Sequence, residues 1–222
     1  MKKIRHMNEC AWMLGILLCG LGVVLCTKAS FGLSMVAAPP YIIHVFFEKF
    51  LPWYSQGTSE YLFQGLIMLV MCIVIRRFKP RYLLSFGTAV ISGLVIDMWL
   101  WVFGGGGVYP SLVSRIVAFC IGELLIALAV AFFFRTNMPI QVYELAVCEI
   151  ADKFGLDKDK TKLWNDIIMF VLSFGLSLIL TGGFTGVGIG TVIITLVNAP
   201  LIGVFGKILD KIFEFDSLFI KK

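Results

Sequence analysis

The chain has 222 residues, 59% of them hydrophobic and only 15% charged, with a mean hydropathy of +0.93. A soluble domain of this length cannot bury so much apolar surface, because its exterior must stay largely polar; composition therefore excludes an ordinary soluble globule and predicts a chain whose solvent is mostly lipid. The net charge of +5 carries no nucleic-acid signature, and its meaning lies in where the cations fall.

In chain order, apolar runs predict helices near 9–27, 35–51, 58–76, 82–103, 111–134, 138–153, 161–181 and 187–207. The first follows Met1-Lys2-Lys3-Ile4-Arg5; with no small-x-small cleavage site behind it, it reads as a retained span rather than a signal peptide. The second and sixth are shorter, one carrying Pro39-Pro40 and the other dotted with acids. Each follows a break in the apolar pattern, at 28–34 (Lys28, Gly32) and at 135–141 (Arg135, Pro139). Irregular backbone at membrane depth persists only where protein or water satisfies its polar groups.

The chain repeats itself weakly. Gly15-Ile-Leu-Leu matches Gly122-Glu-Leu-Leu, and Lys28-Ala-Ser-Phe-Gly-Leu-Ser matches Arg135-Thr-Asn-Met-Pro-Ile-Gln. Further on, Leu62-Phe-Gln-Gly-Leu-Ile-Met-Leu matches Leu163-Trp-Asn-Asp-Ile-Ile-Met-Phe, and Phe86-Gly-Thr-Ala-Val-Ile matches Ile189-Gly-Thr-Val-Ile-Ile. The matches run in order at offsets of 107, 107, 101 and 103 residues, which predicts two duplicated halves, 1–107 and 108–222.

If all eight helices cross the membrane, the halves are parallel; if the second and sixth do not, each half has three spans and the halves are inverted. Loop charge favours the second arrangement. With six spans and a cytoplasmic N-terminus, Arg76, Arg77, Lys79 and Arg81 face inward together with Lys153, Lys158, Lys160, Lys162, Lys207, Lys211, Lys221 and Lys222. The outer loops EKFLPWYSQGTSE, GGGGVYP and TGGFTGVG then hold almost no cations. Trp12 and Trp164 fall at the inner interface, and Trp53, Trp99 and Trp101 at the outer one. The expected fold is all-α and polytopic: six spans plus two re-entrant or half-inserted helices in inverted halves, with eight spans in parallel repeat as the alternative. Both termini are expected in the cytoplasm of a multi-pass cell-membrane protein.

Paired breaks leading into short helices point to a transport site, because each short helix offers a positive dipole end and free N–H donors. Lys28 and Arg135 either snorkel to the headgroups or mark that site. Ionisable groups at membrane depth normally face an interior path; the candidates are Glu144, just after the second break, Glu123 in mid-span, and Asp166 and Asp97 nearer span ends. Gln141, Asn137 and Ser34 would add hydrogen bonds, with Gly190, Thr191 and Asn198 lining the path. The six cysteines show no metal-ligand or disulfide spacing, and neither His6 nor His44 has catalytic company. No HExxH, GxSxG or nucleotide fingerprint is present, so no catalytic residue, metal or cofactor is expected.

The motifs KASFGLSMV, RTNMPIQVYEL and GVGIGTVIITLVNAPLIG resemble those of the YczE/YitT-type family of small bacterial multi-span membrane proteins. That resemblance implies a bacterial inner-membrane protein of transport-like character and names no substrate. The expected function is movement of a small solute, cationic or proton-coupled, through the lipid bilayer. A non-transporting accessory or regulatory subunit is the alternative, and oligomeric state is left open.

Overall fold

The computed structural model describes residues 8–136 and 138–213. Their helices are α1 (Asn8–Ala29), α2 (Ala38–Phe47), α3 (Gln56–Ile75), α4 (Tyr82–Val102), α5 (Leu112–Phe133), α6 (Val142–Phe154), α7 (Lys158–Leu176, continued by one π-turn over Ser177–Thr181) and α8 (Ile189–Ile212). Six of these, all but α2 and α6, are long and apolar enough to cross a membrane. At 1.5 Å per residue, the ten residues of α2 and thirteen of α6 extend about 15 and about 20 Å, short of a core of about 30 Å. The arrangement is therefore six crossing helices and two short ones, and the eight-span alternative does not hold.

Local chemistry sets the element ends. Ser55 caps α3 by accepting from the Thr58 N–H at 3.0 Å, and Asp157 caps α7 by accepting from the Lys160 N–H at 3.0 Å. Pro39 and Pro40 stand in the first turn of α2, where the amide they lack has no helical partner in any case. Gly155 closes α6 in the left-handed region, at φ 65°. α6 begins four residues later than the apolar run suggests, because residues 138–141 stay non-helical and Gln141 is extended, at ψ 155°.

Helices cross where small residues let backbones approach. A Cβ on Gly22 would stand 2.6 Å from the Gly122 carbonyl oxygen, and one on Gly122 would stand 2.9 Å from the Gly22 carbonyl, which fixes the α1–α5 crossing. Gly93 meets Gly57 in the same way between α4 and α3. Outward faces stay apolar, as Leu66, Leu69 and Ile73 on α3 and Ile168 and Val171 on α7 illustrate. The Trp99 indole donates to the Leu17 carbonyl of α1 at 3.0 Å, which joins α4 to α1.

Packing partners follow the sequence matches. α1 packs on α4 and α5 on α8; α3 packs on α6 and α7 on α2; α2 packs on α3 and α6 on α7. Gly15 packs on the Phe133 ring and Gly122 on the Cys26 sulfur, contacts that exchange under the 107-residue offset. Gly32, at φ 113°, lies against Thr191, while the matching Pro139 carbonyl accepts from the matching Thr88 at 3.1 Å. The correspondence fails in two places among the described residues: α3 packs along α4 whereas α7 and α8 do not pack together, and α4 packs on α6 whereas α8 and α2 do not.

Gly22→Val is expected to destabilise the detergent-solubilised protein by about 1–3 kcal/mol, the usual penalty of overpacking. Gly87→Ala, where nothing lies within 4 Å of the new Cβ, should leave thermal unfolding unchanged.

Candidate functional site

Gln56, Glu60 and Gln64 lie four residues apart on α3 and so share one helix face. That face meets the start of α6. The Tyr143 hydroxyl donates to Glu60 Oε1 at 3.1 Å, Gln64 Nε2 donates to the same oxygen at 3.1 Å, and the Val142 N–H donates to Gln64 Oε1 at 3.1 Å. Gln64 thus takes up an amide that the helix start leaves unpaired and passes a donor on to the carboxylate. The positive dipole end of α6 faces the same group. Glu60, Gln64 and Tyr143 are all buried.

Neighbouring bonds hold the break that feeds α6. Gln141 Nε2 donates to Ser92 Oγ at 3.3 Å, and the Pro139 carbonyl accepts from the Trp12 indole and the Thr88 hydroxyl, each at 3.1 Å. Ser92 lies near the middle of α4, so α6 begins deep in the bundle. It ends at the α3–α4 loop, where Glu149 accepts from Lys79 at 2.6 Å, from the Tyr82 hydroxyl at 2.6 Å, and from Arg81. α2 repeats this geometry toward the opposite end. Met35, Val36 and Ile43 pack with Tyr143 around Phe63 and Met169, and the helix runs out to the loop where His44 Nδ1 lies 2.9 Å from the Tyr54 carbonyl. The starts of the two short helices therefore meet in a packed cluster rather than in an open space.

The open space lies beyond them, toward the glycine-rich α4–α5 loop, as a cavity of about 430 Å³. Thr27 and Gln56 are part of its wall, and Gln56 Nε2 donates to Thr27 Oγ1 at 3.1 Å. Glu60 sits one helical turn from Gln56 along the same face. Asp97, also in the wall, accepts from Ser55 Oγ at 2.5 Å and from the Gly57 N–H at 2.8 Å, so it anchors the first turn of α3.

The residues singled out from sequence separate into several places. Glu144 faces Lys162 at 3.4 Å, and Asp166 shares that ammonium at 3.2 Å, forming an α6–α7 ion cluster apart from Glu60. Glu123 is buried on α5 at 5% exposure, with no hydrogen-bond partner for either carboxylate oxygen. Asn198 on α8 has a buried amide oxygen in the same condition. The Gly190 N–H donates to the Phe31 carbonyl at 2.8 Å, and Thr191 sits against Gly32, so both join the first break to α8. The Ser34 carbonyl accepts from the Ala37 and Ala38 amides. Asn137 lies outside the described residues.

Lys28 is 5% exposed and does not snorkel: its ammonium donates to the Phe103 and Gly105 carbonyls at 3.2 and 2.6 Å. Arg135 holds Asp210 near the end of α8 at 2.6 Å. Each break cation thus ties down the end of a long helix. Glu60, Gln64, Tyr143 and Glu149 were not among the sequence candidates. The four-residue spacing of Gln56, Glu60 and Gln64 within an apolar helix was the available signal.

Fold and site together define a polytopic, all-helical membrane protein with a polar centre at the start of a short inserted helix. Residues 7–207 match a family of unknown function, DUF6198, and the chain belongs to it. It is also similar to an uncharacterized protein of Bacillus subtilis (strain 168), YyaS, at 29% identity over 203 residues, covering 90% of this chain and 92% of that protein. No solved structure matches.

Burial alone would push the Glu149 carboxyl up; the hydrogen bonds from Lys79, Tyr82 and Arg81 outweigh it and hold the group at about 2. A carboxyl depressed on folding stabilises the fold fully above its ordinary value of 4.5 and loses that contribution as pH falls through about 2. Glu149→Gln should therefore lower the melting temperature clearly at pH 7, and the gap to the parent protein should shrink steadily as melting is repeated from pH 5 down to pH 3.

Proposed function

We propose that this protein is a secondary transporter of two inverted halves that moves a small solute, cationic or coupled to protons, across the bacterial cytoplasmic membrane. The observation that carries this reading is Glu60: a buried carboxylate at the positive end of a helix that starts deep in the bundle, one turn from the cavity wall. Ionisable groups at such depth are expensive and are kept where they serve ions, protons or substrates.

The exchanged contacts Gly15–Phe133 and Gly122–Cys26, and the opposite directions in which α2 and α6 run out from the centre, support the inverted arrangement. In this reading the loop bearing Arg76, Arg77, Lys79 and Arg81 is cytoplasmic, as are both termini, by the excess of cations there. The 430 Å³ cavity then opens outward, while the Glu149 cluster closes the inner end by holding α6 to the α3–α4 loop. Transport would alternate this state with one in which the outer wall closes and α6 parts from Lys79 and Arg81. Glu60 and Glu123 supply the buried carboxyls that carry a proton or a cation, with Gln64, Gln141 and Tyr143 as hydrogen-bonding partners. The likeness to YczE/YitT-type motifs is compatible with this reading and adds no substrate.

Purified protein in proteoliposomes is expected to catalyse uptake from a panel of small cations and metabolites under an imposed proton gradient. Glu60→Gln should reduce that uptake by about tenfold or more, since it removes the charge at membrane depth. Glu144→Gln, in the peripheral ion cluster, should keep most of it. Absence of flux across the panel, or full flux with Glu60→Gln, would leave the accessory-subunit reading in its place.

A further inference from the structure

The fixed charges that line the 430 Å³ cavity are of one sign. Its charged lining residues are the carboxylates Glu48 and Asp97, and neither lysine nor arginine contributes to the wall. Asp97 is held by a hydroxyl and a backbone amide, both neutral, and no cation pairs with it among the described residues. Lys28 spends its ammonium on the Phe103 and Gly105 carbonyls and is not part of the lining. Glu48 is well exposed, with His44 Nε2 at 3.6 Å. Tyr41 and Trp101 add aromatic rings to a wall that also holds His44, Val45 and Leu100, and Trp101 is 83% exposed. Gly105 to Gly107 add backbone without side chains.

Carboxylates beside aromatic faces attract a cation that also has an apolar body, because the negative face of each ring adds to the charge attraction. A volume of about 430 Å³ suits a small organic molecule. A bare metal ion fits less well: no group of three His, Cys, Asp or Glu is placed to hold one among the described residues, and both Asp97 oxygens already accept hydrogen bonds.

We infer that this cavity is a binding site for a small organic ammonium cation, held between Glu48, Asp97 and the rings of Tyr41 and Trp101. The inference deepens the transport reading by naming a substrate class, and rests on that reading only for passage of the bound cation past Gln56 to Glu60.

Equilibrium binding to purified protein in nanodiscs tests it without any transport. Choline, tetraethylammonium and putrescine would be titrated by calorimetry and by tryptophan fluorescence, beside 3,3-dimethylbutan-1-ol, the neutral isostere of choline. At least one ammonium ligand should bind about tenfold or more tightly than the neutral alcohol, and Glu48→Gln and Trp101→Leu should each weaken it several-fold without changing the melting temperature. Asp97→Asn should weaken it too, and its melting curve would reveal any loss of the α3 anchor. If no ammonium ligand outbinds the alcohol, or if Glu48→Gln and Trp101→Leu bind like the parent, the inference is overturned. Glu60→Gln separates the two claims, since it should cut flux by about tenfold or more and leave this binding intact. Failed binding beside Glu60-dependent flux removes the ligand class alone, whereas binding without flux removes the transport reading alone.

Discussion

The structure turns on one hydrogen-bonded side chain, the Gln64 amide. A helix that starts in the middle of a membrane exposes N–H donors where no water is available, and each unpaired group there costs several kcal/mol. Gln64 accepts from Val142 at the start of α6 and donates to Glu60, so the same residue makes the short helix tolerable and fixes the carboxylate at its positive end. The Pro139 carbonyl, which the break would otherwise leave bare, is covered twice, by Trp12 and by Thr88. Position of the break and position of the acid are consequences of one network.

Around that network the bundle needs close backbones more than large side chains. Lipid offers apolar side chains as good a solvent as another helix does, so helices in membranes are held by tight packing and by hydrogen bonds. Gly22 with Gly122, and Gly57 with Gly93, provide the approach. Lys28 and Arg135 provide the fastening: one ties the end of α1 to the end of α4, and the other ties the α5–α6 break to the end of α8. Within this frame the short helices α2 and α6 each pack on α3 and α7. They end on opposite sides, one beside an open cavity and one beneath the Glu149 cluster.

Much of this was legible in the sequence. Hydropathy located the eight helices, and loop charge favoured six crossing helices with two short ones over eight spans. Matched motifs made Gly32 the counterpart of Pro139 and Thr88 the counterpart of Thr191, but gave no sign of the contacts Gly32–Thr191 and Pro139–Thr88 that the fold makes between them. What the sequence hid was direction. Glu144 follows the second break by a few residues and looks like the acid of the site, yet the helical turn between Tyr143 and Glu144 sends one side chain to Glu60 and the other to Lys162. Glu60 reads as part of a polar loop because Ser55, Gln56, Thr58 and Ser59 surround it. Only the cap at Ser55 shows that the helix has already begun and that its polar residues face inward. Lys28 and Arg135 carry no local mark of the Phe103, Gly105 and Asp210 partners that fasten them, which lie 75 or more positions away in the chain.

The depth of α6 in the membrane is the claim on which the account most depends. It is measured directly by spin labels placed singly at Met138 and at Lys153 in reconstituted protein, with oxygen and nickel-chelate accessibilities giving the depth of each. A half-inserted α6 predicts a label near the bilayer centre at 138 and one in the headgroup region at 153, a separation of roughly 15 Å along the membrane normal for a helix of this length. Equal depths at the two positions, with both labels at one interface, would mean a helix lying flat on the surface and would contradict the account.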